Sequence, residues 1–138
     1  MKITAIRLCY AVGAVVDAAV GILLLFPALL AETLSLAEVP SRLSERIPLA
    51  MTAALLFGWT GLLFWGARLP VERRGVLLLT IFPVIAGIAL AVLFGWNGSY
   101  VSTAGAVMIW SAQGLLACLL AWAFVSARRC AIDQGPHQ

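Results

Sequence analysis

The sequence predicts an all-α integral membrane protein: a four-transmembrane-helix bundle with N and C termini cytoplasmic. Three observations predict it. Of the 138 residues, 63% are hydrophobic and 11% charged, against roughly 25% charged in an ordinary soluble domain. Four stretches, Leu8–Ala31, Pro48–Ala67, Gly75–Gly95 and Ala104–Ala127, are long enough to cross a ~30 Å hydrocarbon core, which takes about 20 helical residues. Seven of the nine basic residues fall on one side of those stretches, and an excess of Lys and Arg marks the cytoplasmic face. The apolar runs are continuous rather than alternating, which excludes barrel strands.

Taken in order, Leu8–Ala31 reads as span one rather than a secretory signal peptide. It is too long for a signal core and holds an acid, Asp17. Residues 32–47 form the longest connection, on the outer side. There Leu34, Leu36, Val39, Leu43 and Ile47 mix with charged residues, the pattern of an amphipathic interfacial segment divided at Pro40. Pro48 suits the first turn of span two, where its missing N–H costs nothing, and Pro70 helps to end that span. In span three Pro83 frees the carbonyl of Leu79, so a kink is expected. Pro83, Gly87 and Ala91 form a stripe of small residues expected to pack against span one. The chain, 1–138, is read as one domain of two helical hairpins joined by the basic turn Arg68–Arg74. The string Leu-Phe-Gly-Trp occurs at Leu56–Trp59 and at Leu93–Trp96, but out of phase with the spans, so it marks no repeat.

Orientation follows from Lys2, Arg7, Arg68, Arg73, Arg74, Arg128 and Arg129, all on the inner side. Arg42 and Arg46 on the outer side are balanced by Glu32, Glu38 and Glu45. The net charge of +3 is this asymmetry and not a nucleic-acid footprint. Trp65, Trp122, Trp96 and Tyr100 fall at depths suited to interfacial anchoring or the adjoining leaflet. The three cysteines, Cys9, Cys118 and Cys130, form no C-x-x-C pair, and no disulfide is expected. The one histidine, His137, is in the tail. The sequence therefore implies no cofactor, no metal site and no enzyme: it holds no His-based triad, no phosphate-cradling glycine loop and no second intramembrane acid.

Asp17 is the feature that asks for an explanation. A charge at the bilayer centre costs from ~2.5 to more than ~10 kcal/mol. Gly13, Asp17 and Gly21 are four apart and share one helix stripe, flanked by Ala14 and Ala18. Small residues mark faces of close helix approach, so Asp17 is expected to point into the bundle. Counting ~1.5 Å per residue places it about 15 Å deep, with Thr60, Thr80 and the Leu79 carbonyl as expected neighbours. Gln113, near Ser111, Trp110 and Thr52, forms a second polar layer about 22 Å deep. Trp59 and Trp110 lie deeper than anchors, and are expected either to line an interior site or to pack. No basic residue shares the depth of Asp17. It should therefore hold a proton or bind a cation.

Two readings of that acid stand on an equal footing. In one, Asp17, Thr60, Thr80, Trp59, Trp110 and Gln113 form a ligand or proton site for a small amphiphilic or cationic molecule. In the other, Asp17 is a protonated group bonded across a helix interface, worth ~0.6–2 kcal/mol. The four-span size and the single acid in span one resemble the small multidrug transporters, which use one such glutamate. The resemblance is one of layout: an aspartate stands here, and their sequence motifs are not evident. Competition of a proton and a cationic substrate for one buried acid would suit proton-coupled exchange. Because a four-helix monomer leaves little room for a pathway, a homodimer is expected if the chain transports. The alternative is a non-catalytic accessory or assembly subunit of a larger membrane complex. Either role would place the chain in the lipid bilayer of a bacterial or archaeal cytoplasmic membrane.

Overall fold

The computed structural model describes residues 2–34, 42–97 and 101–133. Among them all regular structure is helical, and four helices are long and apolar enough to cross a membrane. Helix α1 spans Lys2–Leu25, α2 Pro27–Leu34, α3 Leu43–Arg68, α4 Gly75–Asn97 and α5 Thr103–Asp133. The shortest apolar spans have 23 residues, about 34 Å of helix. Leu36, Glu38, Val39, Pro40, Tyr100 and His137 lie outside the described residues.

Two helix boundaries differ from those expected. The first apolar run does not make one helix, because Pro27 disfavours helical backbone at Phe26. The chain leaves α1 there, with the Phe26 N–H donating to the Leu23 carbonyl at 3.1 Å. Pro27 then opens α2, where its missing donor costs nothing. The second difference is at Pro48, which lies inside α3 rather than in its first turn. The helix starts earlier because Glu45 accepts the Arg42 backbone N–H at 3.1 Å, satisfying a donor that the helix start leaves free. At its other end α3 stops at Arg68, just before Pro70, with the Leu69 N–H closing on the Gly66 carbonyl at 3.2 Å.

Within α4 the segment Thr80–Ile85 is wound as a π-helix around Pro83. Proline removes one hydrogen bond of the ladder and its ring crowds the carbonyl a turn earlier. Widening the turn by one residue relieves that crowding. The expected kink is thus a local change of helical pitch.

In the bundle α1 packs chiefly on α3 and next on α5, while α4 packs on α5 and lightly on α3. Helices α1 and α4 are diagonal. This overturns the expected contact of the Pro83–Gly87–Ala91 stripe with span one: all three residues are exposed, and nothing lies within 4 Å of where a Gly87 Cβ would be. The arginines at 7, 68, 73, 74, 128 and 129 gather at one end, called here the basic end. The apolar core is concentrated toward it: Ile6, Tyr10, Leu63, Leu77, Leu120 and Ala127 are buried together.

Candidate functional site

Asp17 sits where α1 meets α3 and α5. A Cβ added to Gly13 would stand 3.4 Å from Leu63 of α3 and 3.7 Å from Leu120 of α5. One added to Gly21 would stand 3.3 Å from the Phe57 ring and 3.6 Å from the Ala53 carbonyl. Between these two contacts Asp17 is 5% exposed. The stripe therefore faces inward, as the small residues around it predict. The Asp17 Oδ2 atom is buried and has no hydrogen-bond partner among the described residues.

The two expected hydroxyl neighbours are committed elsewhere. Thr60 donates to the Leu56 carbonyl of its own helix at 2.9 Å, and its oxygen lies 3.4 Å from the Ala14 carbonyl of α1. It thus lies beside the α1 backbone, a turn closer to the basic end than Asp17. Thr80 is 1% exposed; it donates to Val76 at 2.9 Å and accepts the Trp59 indole N–H at 3.0 Å. Trp59 and Thr80 tie α3 to α4. Neither threonine hydrogen-bonds to Asp17, because each hydroxyl proton finds a carbonyl one turn back on its own helix.

Gln113 and Trp110 belong to the half of the bundle away from the basic end. Gly13 faces Leu120, and α1 and α5 run antiparallel, so Asp17 is level with about Leu116. Gln113 lies about one turn, ~5 Å, further from the basic end. Its Oε1 is buried and, among the described residues, unpartnered like that of Asp17. Trp110 donates to the Ala89 carbonyl of α4 at 3.3 Å and meets the Trp96 ring edge-on at 5.9 Å. Its polar atom faces α4, away from Asp17. Thr52 and Ser111 are exposed and bonded to their own helices, so they leave the second layer.

A set of contacts beneath Asp17 went unread in the sequence. Tyr10 is fully buried and donates to the Arg73 carbonyl at 2.9 Å. Its ring fills the space over Gly66, where an added Cβ would come within 2.7 Å. Arg73 in turn donates to the Trp65 carbonyl at 2.7 Å and stacks 3.6 Å over the Trp65 ring. The signal was present: Ile6, Tyr10, Gly13 and Asp17 share one face at helical spacing.

Chemically, the arrangement offers one acid with an open acceptor atom at a helix junction, resting on a closely packed base. Among the described residues no three His, Cys, Asp or Glu side chains gather into a metal-ion site. No protein-family model, curated protein or solved structure matches this chain.

Proposed function

We propose that the chain is an integral membrane bundle that binds a small amphiphilic or cationic molecule at Asp17 and exchanges it against a proton. The observation that carries this is the unpartnered Asp17 Oδ2 on a side chain only 5% exposed. A buried carboxylate with no partner is retained at a cost, and intramembrane acids that face the bundle interior mark ion and substrate pathways. At Oδ2 a proton and a ligand cation compete for the same lone pairs, so each displaces the other. Gln113, about one turn away, offers a second free acceptor along the same helix junction. Trp59 and Thr80 close the opposite flank of α3. Transport would need a second copy, since one four-helix bundle leaves little room for a pathway.

The test is binding of a lipophilic cation, tetraphenylphosphonium, to the chain in lipid nanodiscs. Asp17→Asn should lower affinity by about 100-fold or more while leaving helix content unchanged, as expected for loss of a buried charged acceptor. Unaltered binding in the variant overturns the proposal. Infrared titration of the carboxyl band gives an independent view. A band that titrates shows that water and protons reach Asp17, whereas one constant from about pH 5 to pH 10 shows a sealed contact.

The second reading, an accessory subunit of a larger membrane complex, is supported by one observation. Gly58, Gly61, Gly87 and Gly114 all open onto empty space, with nothing within 4 Å of a Cβ at any of them. Exposed glycines on apolar helices suit close approach by a partner helix. A sealed Asp17 would make this the better reading.

A further inference from the structure

The Tyr10 and Arg73 contacts hold the turn 69–74 in place, and a cleft of about 190 Å³ opens beside that turn at the basic end of the bundle. It is lined by Ile3 and Arg7 of α1, Arg68 at the end of α3, and Leu69, Pro70, Val71 and Glu72. We propose that it is a binding site for the headgroup of an anionic phospholipid. Arg7 and Arg68 would take the phosphate, and Ile3, Leu69 and Val71, further out at the same end, would wall the headgroup.

Charge is the first argument. The cleft carries two guanidinium groups against one carboxylate, and among the described residues neither arginine forms an ion pair. One nitrogen of Arg7 lies 3.4 Å from the Arg68 carbonyl, which orients that side chain. A guanidinium has five N–H donors, so most of the Arg7 set stays free. The Arg68 guanidinium donates to none of the described residues. Paired guanidinium forks match phosphate geometry.

Preorganisation is the second. Leu69 to Glu72 are not a loose linker: the Arg73 N–H donates to the Leu69 carbonyl at 2.9 Å, Tyr10 grips the Arg73 carbonyl, and Arg73 is clamped on Trp65. The third argument is size and lining. At about 190 Å³ the cleft is smaller than the ~300–1,000 Å³ of drug-sized sites. Its apolar residues Ile3 and Leu69 are each 41% exposed beside the charges. Its place at the basic end of helices long enough to cross a membrane puts it where lipid phosphates lie, which favours a lipid over a free anion. Basic pockets between spanning helices are known to hold anionic headgroups. The site depends on membrane insertion but not on any ligand at Asp17.

Native mass spectrometry of the full chain released from nanodiscs tests this, with phosphatidylglycerol, phosphatidylcholine and inorganic phosphate as the probes. One saturable phosphatidylglycerol is expected, and phosphatidylcholine should bind at least about fivefold more weakly. Arg68→Gln should weaken phosphatidylglycerol binding by about fivefold, the effect of one basic residue near an anionic surface. Glu72→Gln, at an exposed position that needs no folding rescue, should strengthen it. Asp17→Asn should leave it unchanged, which separates this site from the one above. Equal binding of both lipids overturns the proposal, as does displacement of the lipid by millimolar inorganic phosphate. Indifference to both Arg68→Gln and Glu72→Gln overturns it too. A chain that never enters the nanodisc overturns it together with the membrane reading.

Discussion

Near the basic end, the hydroxyl of Tyr10, the guanidinium of Arg73 and the carbonyls they reach are all hydrogen-bonded, and Leu63, Leu77 and Leu120 fill the space between. Toward the other end the same helices enclose two acceptor atoms, on Asp17 and Gln113, without partners among the described residues. The two regions are built from the same helices and differ in how buried polar atoms are treated. A buried polar atom left unpaired costs about 1–3 kcal/mol. One half of the bundle thus earns its stability from packing and satisfied bonds, and the other half carries groups that folding alone would discard. The difference teaches where to look for function: above the packed base rather than within it.

Three substitutions would break or sharpen that contrast. The largest effect is expected from Gly66→Ala. The new Cβ would lie 2.7 Å from a Tyr10 ring that is fully buried and held at its hydroxyl, so the ring cannot swing aside. Such overpacking costs about 1–3 kcal/mol, to be read as a lower unfolding midpoint in detergent. An unchanged midpoint would mean that the base is looser than described. Next, Tyr10→Phe keeps the ring but removes its hydrogen bond to the Arg73 carbonyl, which retains the Val76 N–H at 3.0 Å, a loss of about 1 kcal/mol or less. It should also loosen the 69–74 turn, seen as faster hydrogen exchange there. The smallest effect is expected from Gln113→Leu, and it has the opposite sign. Replacing a half-buried amide whose Oε1 is buried and unpaired with an apolar side chain of similar size should raise stability by up to about 1 kcal/mol. Destabilisation by this change would show that Gln113 has a partner and would erase the contrast between the halves.

Much of this was legible in the sequence. Runs of apolar residues set the four long helices, since hydropathy and length are additive along the chain. The inward turn of Asp17 was legible because Gly13 and Gly21, one turn to either side, report how closely another helix approaches. The gathering of arginines at one end followed from alternation of the spans. What escaped reading depends on geometry between helices. Periodicity says which face of α4 carries small residues, but not that α1 and α4 are diagonal, so the partner assigned to Pro83, Gly87 and Ala91 was wrong. Hydropathy passes over Pro27, which is apolar enough to hide in the run and rigid enough to end it. The hydroxyls of Thr60 and Thr80 were expected near Asp17 from their depth, but each finds a carbonyl on its own helix instead. The Trp110 donor turns to the Ala89 carbonyl of α4, which spacing along α5 cannot show.

The wide turn at Thr80–Ile85 acts as a phase slip along α4. On the basic side of it the buried positions are Val76 and Leu77, and Thr80 opens the turn itself. A seven-residue repeat counted from Leu77 would next bury Val84 and Ala91; the residues buried are Ile85 and Val92. One inserted residue rotates everything beyond it by about 100° about the helix axis. The two ends of α4 are therefore indexed separately against α5, and the Ala89 carbonyl that receives Trp110 lies beyond the slip. Shortening the segment by one residue would leave the basic end in register and carry the far end of α4, Trp96 included, round to a different longitude.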